Sequence, residues 1–175
     1  LARHLNVPVV YASSSAIYGN LSLGSDELND FDILSPYARD KLTMEDYAKM
    51  CWEIYKIPSI GLRFFNVYGP RQDPSSPYSG VISIFADRLL KTKNITINGG
   101  YQTRDFVYVQ DVVKAIYRAI NIASERSVCE MCNVLTGSSV TIDYLANQMI
   151  DIVPVEVEKN YKNLSTGDPE KSDGT

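Results

Sequence analysis

A helix is predicted to begin within the stretch SPYARDK, residues 35–41. Ser35 can cap the free backbone N–H groups of the first turn, and Pro36 suits the first helical position. The helical pattern continues to Tyr55, and Pro58 follows its end. We expect one wide face of this helix to be buried, formed by Leu42, Met44, Tyr47, Ala48, Met50, Cys51, Ile54 and Tyr55.

A chemically useful pair lies at the start of this helix. Tyr37 and Lys41 are four residues apart, so they share one helix face. The ammonium favours phenolate over phenol and is expected to lower the tyrosine pKa from its reference value of about 10. Such a tyrosine can act as a base near neutral pH. Taken alone, Tyr-x-x-x-Lys more often marks an ordinary pair on a solvated helix.

Two apolar strand patterns flank the helix. VPVVY at residues 7–11 precedes it, and SIGLRFFNV at residues 59–67 follows it. Strand, helix and strand in this order predict a parallel, doubly wound α/β sheet. Ser13, Ser14 and Ser15 come after the first strand, at the carboxyl edge where ligands bind in such sheets. A serine-rich turn that satisfies its own backbone is the alternative.

Further helix and strand patterns occupy the rest of the chain. They predict a helix at residues 81–90, a strand at 95–97, a strand at 104–109, a helix capped by Asp111 and running to Ile122, a strand at 129–135, a helix capped by Thr141 and ending near Ile152, an edge strand at 155–157 and a polar loop at 161–175.

Length and composition describe an ordinary globular protein. The chain has 175 residues, of which 45% are hydrophobic and 22% charged, enough for one domain with a real core. The net charge of −4 gives no indication of a nucleic-acid or anionic membrane partner. No apolar run approaches the ~18 residues of a membrane span, and no signal peptide is visible.

The cysteines and the histidine give no support to a metal site. Cys51, Cys129 and Cys132 are an odd number without secretory context, which favours reduced thiols and a cytoplasmic location. Cys129 and Cys132 match C-x-x-C, but no second pair accompanies them, so packing in a strand is favoured over a zinc or redox role. His4 is the single histidine, which excludes a multi-histidine site. We expect no metal.

Five short motifs follow one another along the chain. They are Ser-Ser-x-x-Tyr-Gly at residues 14–19, Tyr-x-x-x-Lys at 37–41, LRFFNVYGPR at 62–71, TRDF at 103–106 followed by DVV at 111–113, and Gly-Asp at 167–168. In this order they resemble the extended short-chain dehydrogenase/reductases, in the branch of the NAD-dependent nucleotide-sugar epimerases and dehydratases. The resemblance implies the carboxyl-side part of a Rossmann-type doubly wound parallel sheet plus a smaller α/β substrate-binding domain.

The same resemblance implies a division of the chain. Residues 1–70 are expected to form the second half of an NAD-binding Rossmann domain, whose glycine-rich first half is missing from this sequence. Residues 71–175 are expected to form mainly the substrate-binding domain, with residues 104–122 returning toward the Rossmann domain. The glycine-rich loop holds the cofactor pyrophosphate at a helix N-terminus, so this chain alone is expected to bind NAD poorly.

Family members commonly pair through two long helices, so a homodimer through the helix at residues 36–55 is expected. Burial inside the monomer would explain Trp52 and Tyr55 equally well.

By resemblance, NAD is the expected cofactor. Tyr37 resembles the catalytic base, Lys41 its electrostatic partner and a contact to the nicotinamide ribose, and Ser14 the side chain that hydrogen-bonds the reacting sugar hydroxyl. Phe64 and Phe65 resemble residues near the nicotinamide, although both also suit an ordinary core. The expected cofactor contacts are Ser13, Ser14, Tyr37, Lys41, Phe64 and Phe65.

A UDP-sugar is the expected substrate. Asn66 resembles a contact to the diphosphate, and Arg104 resembles the arginine whose guanidinium forks onto the phosphate oxygens. Pairing of Arg104 with a surface carboxylate alone is the alternative. Backbone groups at residues 80–81 are expected to contact the nucleotide, and residues 96–98 the uracil. The expected substrate contacts are Ser14, Ser15, Tyr37, Asn66, Gly80, Val81, Thr96, Asn98, Arg104, Asp168 and Ser172.

The residues after Ser14 favour one reaction. The resembling dehydratases and decarboxylases carry acidic residues there, whereas this chain has Ser15 and Ala16. Loss of water then lacks its general acid. The expected activity is epimerisation at C4 of a UDP-hexose, either UDP-glucose and UDP-galactose or their N-acetyl forms, through a 4-keto intermediate. The alternatives are a nucleotide-sugar 4,6-dehydratase or decarboxylase, and a non-catalytic NAD-binding protein of the same fold.

Two positions in the last loop bear on the substrate. The family pattern Arg-x-Gly-Asp begins here with Ser165 in place of the arginine on the diphosphate, which either weakens the diphosphate site or leaves Arg104 as its main cation. This replacement is the feature that favours the non-catalytic alternative. Ser172 stands where the family restricts the C2 substituent of the sugar, and its small side chain predicts that an N-acetyl group is admitted. Residues 71–74 also resemble members that take N-acetylated sugars.

Overall fold

The computed structural model describes residues 1–76 and 78–175. Its strands are β1 (Val9–Ser14), β2 (Ser59–Phe64), β3 (Asn66–Tyr68), β4 (Asn94–Asn98), β5 (Thr103–Tyr108), β6 (Cys129–Val134), β7 (Ser139–Thr141) and β8 (Glu158–Lys162). Its helices are α1 (Ala2–Leu5), α2 (Pro36–Tyr55), α3 (Val81–Lys91), α4 (Val109–Glu125) and α5 (Ile142–Asp151), with a 3₁₀ helix (Ser15–Tyr18) directly after β1.

The first sheet is parallel and has the strand order β1-β2-β6. Successive side chains of a strand point to opposite faces. Arg63 of β2 contacts Glu45 of α2, so α2 covers one face, and Leu62 therefore points to the other. The buried core around Leu62 includes Val112 and Ala119 of α4. The predicted parallel α/β sheet with helices on both sides is confirmed.

Helix α2 has the predicted bounds and caps but not the predicted orientation. The Ala38 backbone N–H donates to Ser35 Oγ over 3.1 Å, and Pro36 occupies the first turn. The buried side chains of α2 are Ala38 and Glu45. Much of the apolar stripe that we expected to be buried faces outward instead, with Tyr47 63% and Ile54 62% exposed. Burial in the monomer therefore does not explain this stripe.

A second, smaller α/β unit lies beyond β2. Strand β3 pairs in parallel with β5, which pairs antiparallel with β7, and β4 pairs in parallel with β8. A separate core joins α3, β4 and α5: Phe85, Leu89, Ile95, Ile97, Ile142 and Ala146. After the smaller unit the chain contacts the first sheet again, because α4 packs against that sheet and β6 joins it as a third strand.

Four local predictions differ from the structure. The single strand expected at residues 59–67 divides at Phe65 into β2 and β3, which belong to different sheets. The strand expected at 155–157 is β8, Glu158–Lys162, whose exposed polar residues lack the apolar alternation that marks a strand. Strand β7 was not expected, because it has only three residues. Asp111 does not cap α4: Tyr108 is the N-cap residue, and Asp111 lies in the first turn and pairs with Lys114 at 2.8 Å.

The strand predicted at 129–135 is confirmed as β6. Cys129 and Cys132 are three residues apart in it, so their side chains point to opposite faces of the sheet. They therefore cannot bind one metal ion or form a disulfide with each other without rearrangement of the strand. Within the described residues, no three His, Cys, Asp or Glu side chains form a group that could hold a metal, and no helix is long and apolar enough to cross a bilayer.

Candidate active site

Two cavities adjoin each other: the small cavity lies beside the carboxyl ends of β1 and β2, and the large cavity lies beside β3, β4 and the start of α3. The large cavity has a volume of about 620 Å³, and the small cavity about 190 Å³. Asn66, Arg104 and Asp168 line both, so the two cavities meet at these three residues. Residues after β1, the end of β2 and part of the last loop line the small cavity, and the smaller unit with α3 and β4 lines most of the large one.

Most of the predicted site residues line these cavities. Those in the small cavity are Ser14, Ser15, Phe64, Phe65 and Ser172; those in the large cavity are Gly80, Val81, Thr96 and Asn98; and those at the junction are Asn66, Arg104 and Asp168. Tyr37, Lys41 and Ser13 are not among the lining residues of either cavity. Residues far apart in sequence are thus brought together, whereas the helix pair stands outside.

Ser14 ends β1 and caps the 3₁₀ helix. Its Oγ accepts a hydrogen bond from the Ala16 backbone N–H over 3.1 Å. A hydroxyl carries one donor hydrogen and two acceptor lone pairs. The Ser14 O–H hydrogen is therefore available to donate into the small cavity.

Tyr37 and Lys41 share one face of α2, as predicted. The Lys41 ammonium lies 5.6 Å from the centroid of the Tyr37 ring and donates to the Ala12 carbonyl oxygen over 2.8 Å. This bond ties the helix to β1 two residues before Ser14. Tyr37 is 53% exposed, so a ligand can approach it from the solvent side of α2.

Ser13 differs from its neighbours. Its side chain is 2% exposed, and its hydroxyl donates to Glu45 Oε1 below the surface of the sheet. The cofactor contact expected of Ser13 could therefore involve its backbone but not this engaged hydroxyl.

Arg104 and Asp168 form the polar part of the junction. Arg104 is 8% exposed, and its Nη1 donates to the Thr103 carbonyl oxygen over 2.7 Å. Its Nη2 lies 3.5 Å from Asp168 Oδ1, a long contact to a half-exposed carboxylate. Burial lowers the pKa of Arg104, and the Asp168 charge opposes that shift. A buried guanidinium whose one anionic contact is long would be stabilised by hydrogen bonds to a further anion.

Asn66 presents no free donor. Its Nδ2 donates to the Asp105 carbonyl oxygen over 3.0 Å and to Ser172 Oγ over 3.3 Å, which uses both amide hydrogens. Its remaining oxygen is an acceptor and does not suit a diphosphate. The contact expected between Asn66 and the diphosphate therefore requires that one of these bonds break.

The large cavity combines a strand face with a helix start. In β4 the buried Ile95 and Ile97 alternate with Thr96 and Asn98, whose side chains are exposed. Gly80 precedes the first turn of α3, whose backbone N–H groups have no partner within the helix. This arrangement offers hydrogen-bonding groups to a polar ligand from two sides.

Two glutamines of the large cavity were missed by sequence reasoning. Gln102 is buried, accepts from the Gly100 N–H and donates to the Asn98 carbonyl oxygen, each over 2.6 Å, and so fixes the turn after β4. Gln72 donates to the Val67 carbonyl oxygen over 3.4 Å, while its Oε1 is buried without a hydrogen-bond partner in the described part of the chain. No motif of the sequence identifies Gln102, whereas Gln72 lies in residues 71–74, which resemble members that take N-acetylated sugars, but was not itself predicted to line the site.

The carboxyl-terminal segment forms one wall of the small cavity. Ser172 accepts from the Asp105 N–H through its carbonyl oxygen over 3.2 Å, and the Asp173 carbonyl oxygen accepts from the Gly24 N–H over 2.8 Å. The segment therefore links the smaller unit to the loop after β1. Ser165 is exposed and is not among the residues that line the junction.

The chain belongs to the NAD dependent epimerase/dehydratase family, whose sequence pattern matches residues 1–134. A putative UDP-glucose 4-epimerase of Methanocaldococcus jannaschii is 42% identical over 152 residues, which are 85% of this chain and 47% of that protein. A human dTDP-D-glucose 4,6-dehydratase is 32% identical over 146 residues, 82% of this chain and 40% of that protein.

Solved structures of the family superpose closely. A UDP-N-acetylglucosamine 4-epimerase from Methanobrevibacter ruminantium, in complex with UDP-N-acetylmuramic acid, matches with a TM-score of 0.88 and 35% identity over 99% of this chain and 56% of that one. A Thermus thermophilus UDP-glucose 4-epimerase in complex with NAD matches with a TM-score of 0.86 and 31% identity over 99% of this chain and 57% of that one. The chain spans about half the length of the relatives it matches.

Proposed function

We propose that the complete protein containing this chain epimerises a UDP-hexose at C4 with NAD. The junction of the two cavities carries the proposal. A diphosphate beside the Arg104 guanidinium would extend its nucleoside into the large cavity and its sugar into the small cavity, toward Ser14. The epimerases among its relatives support this reading.

The proposed roles follow from the side-chain groups that are available to a ligand. Arg104 binds the diphosphate, and Thr96 and Asn98 contact the uracil through exposed side chains on β4. Ser14 donates its free hydroxyl hydrogen to the oxygen at C4. Tyr37 takes the C4 hydroxyl proton as base, and the ammonium of Lys41 stabilises the phenolate.

NAD fits the residues that face outward. Tyr37 is exposed and Lys41 is partly exposed beside β1. Phe64 and Phe65 line the small cavity at the end of β2, although Phe65 also belongs to the buried core. When bound, NAD supplies the acceptor and donor of hydride at C4. Because the relatives are about twice as long, we propose that protein beyond this chain completes the cofactor site over Tyr37. The division at residue 70 into cofactor-binding and substrate-binding parts belongs to this proposal.

Epimerisation is favoured over dehydration because the residues described around the small cavity offer no free carboxyl group to act as the general acid for loss of water. Ser15 and Ala16 supply none after Ser14. Two acidic side chains from the last loop do line the cavity, but Asp168 contacts Arg104 and Asp173 accepts from the Thr103 hydroxyl over 2.8 Å. Both are thus held by other groups. A dehydratase remains the second candidate because a relative bears that name.

We further propose that the complete protein is a cytoplasmic homodimer that pairs through α2. The exposed apolar stripe, which includes Tyr47, Met50 and Ile54, supports this assignment because apolar faces of that kind mark interaction surfaces.

NMR on the complete protein tests the reaction. UDP-N-acetylglucosamine and, separately, UDP-glucose would be incubated without added reductant, and the anomeric and C4 protons followed. We expect the galacto epimer to appear. A 4-keto-6-deoxy or decarboxylated product would instead establish the alternative chemistry, and bound NAD without any product would favour a non-catalytic protein.

A further inference from the structure

A buried ion pair joins α2 to the first sheet. Arg63 Nε donates to Glu45 Oε1 over 3.0 Å, and Arg63 Nη2 donates to Glu45 Oε2 over 2.7 Å. The two side chains are 3% and 5% exposed. This two-pronged geometry fixes both the distance and the orientation between the helix and β2.

The pair extends to the strand that carries Ser14. Ser13 of β1 donates its hydroxyl hydrogen to Glu45 Oε1. On the other side, Arg63 Nη1 donates to the Tyr18 hydroxyl over 2.8 Å, and that hydroxyl donates to Asn133 Oδ1 over 2.8 Å. One network therefore connects β1, the 3₁₀ helix, α2, β2 and β6.

The protonation states in this network are fixed by its chemistry. Burial raises the pKa of the Tyr18 hydroxyl, so it keeps the hydrogen that it donates to Asn133. The pKa of Arg63 is raised by its bonds to Glu45 and Tyr18, against the effect of burial. The charged group that faces Arg63 is the Glu45 carboxylate. Two neutral rings also face its guanidinium carbon, with centroids at 5.4 Å for Tyr18 and 5.3 Å for Phe31.

A gain in folding stability does not by itself account for a buried ion pair of this kind. Taking two charges out of water costs much of what their attraction returns, and well-packed apolar side chains often stabilise a core equally well. An exposed and less rigid contact would also suffice to hold a helix. A buried network with several fixed bonds instead specifies one geometry.

The network lies directly behind the residues proposed for catalysis. Glu45 follows Lys41 by four residues and Tyr37 by eight, so the three share one side of α2. Lys41 bonds to the carbonyl oxygen of Ala12, and Glu45 bonds to the side chain of Ser13. Two consecutive residues of β1 are thus attached to α2 immediately before Ser14.

We propose that Glu45 and Arg63 are positioning residues, which hold Tyr37 and Lys41 of α2 in register with Ser14 of β1. This proposal rests on the function proposed above for the three residues. Neither Glu45 nor Arg63 touches the substrate in it. They act by setting the separation of the reacting groups, on which catalysis depends steeply, because a displacement of about 1 Å can cost about 100-fold in rate.

The first test replaces the pair without leaving a buried charge. The double variant Glu45→Leu/Arg63→Met leaves no buried charge and fills the space with apolar side chains, while Tyr18 keeps its bond to Asn133, so the protein is expected to fold. We expect the complete protein to lose about 100-fold in kcat while KM for the UDP-hexose changes less than about threefold. Val112→Ala in α4, on the opposite face of the sheet, is the control for lost stability and should retain kcat. An unchanged kcat in the double variant would overturn the proposal.

A milder variant covers the case in which the double variant does not fold. Ser13→Ala removes the tie between Glu45 and β1 but leaves the ion pair whole. We expect kcat to fall several-fold with KM retained. If the stability of Ser13→Ala equals that of the parent and kcat is also unchanged, the pair does not position β1.

A readout without substrate separates this proposal from the proposed function. Hydrogen–deuterium exchange of the complete protein without substrate would be compared between the parent, Ser13→Ala and Val112→Ala. We expect Ser13→Ala to speed exchange selectively at residues 12–18 and 36–41. Absence of turnover in the unmodified complete protein would count against the epimerase assignment alone, whereas unchanged exchange in these two segments would refute the positioning role.

Discussion

The Arg104 guanidinium and the Asp168 carboxylate meet at 3.5 Å, Nη2 to Oδ1, where the large and small cavities join. The contact is long, and the carboxylate is half exposed while the guanidinium is buried. Such an ion pair holds the arginine in place without satisfying it. An incoming diphosphate would provide shorter, charge-assisted hydrogen bonds to the same guanidinium.

Arg104→Met is therefore expected to weaken binding of UDP by about 10- to 100-fold, since hydrogen bonds to charged groups contribute about 1.5–3 kcal/mol. Isothermal titration calorimetry measures this directly. Arg118→Met, at an exposed position of α4, is the matched control and should leave the affinity unchanged. Asp168→Asn removes a competing anion and should bind UDP at least as tightly. Equal affinity of the parent and Arg104→Met for UDP would show that the diphosphate does not bind at Arg104.

Tyr37→Phe tests the proposed base. The variant removes only the hydroxyl of an exposed ring, so the fold and the affinity for UDP should be retained while kcat falls at least about 1,000-fold. Ser14→Ala should cost less, because Ser14 orients the sugar hydroxyl rather than accepting its proton. Tyr117→Phe, on the exposed side of α4, controls for the loss of a surface phenol. Near-normal turnover of Tyr37→Phe would exclude Tyr37 as base.

The sequence was sufficient for the elements that position the site, because their signals are local. Ser35 and Pro36 identify the start of α2, and the apolar runs identify β1 and β2. The motifs placed Ser14, Asn66 and Arg104 at one site, and the structure brings all three to the two cavities.

Other features depend on long-range contacts that no local pattern encodes. Periodicity showed that α2 has an apolar face but not which face meets the sheet, and the buried face is the one that carries Glu45. Its partner Arg63 lies eighteen residues further along the chain. Strand β8 consists of exposed polar residues and is defined by backbone pairing with β4, for which side-chain alternation gives no signal.

Ile54→Asp tests the proposed homodimer. Ile54 is 62% exposed on the apolar stripe of α2, where a charge would be buried without a partner if two copies paired there. Sedimentation velocity should show a dimer for the complete parent protein and a monomer for the variant at micromolar concentration. Ile120→Asp, at an exposed apolar position of α4, should remain dimeric. A monomeric parent, or a variant that still forms a dimer, would show that the apolar stripe of α2 is not the dimer interface.

Ser172 provides a test of substrate choice that leaves the catalytic groups intact. Its side chain lines the small cavity of about 190 Å³ and accepts a hydrogen bond from Asn66, so a larger residue there would occupy space close to the proposed sugar position. In Ser172→Tyr we expect kcat/KM for UDP-N-acetylglucosamine to fall at least about tenfold relative to that for UDP-glucose, since the N-acetyl group needs the larger volume. Ser165→Tyr places the same ring at an exposed position of the same segment and should leave the ratio of the two substrates unchanged. A parallel loss with both sugars would mean that Ser172 supports the loop through Asn66 and does not select the C2 substituent, whereas a selective loss would identify it as the residue that admits the N-acetyl group.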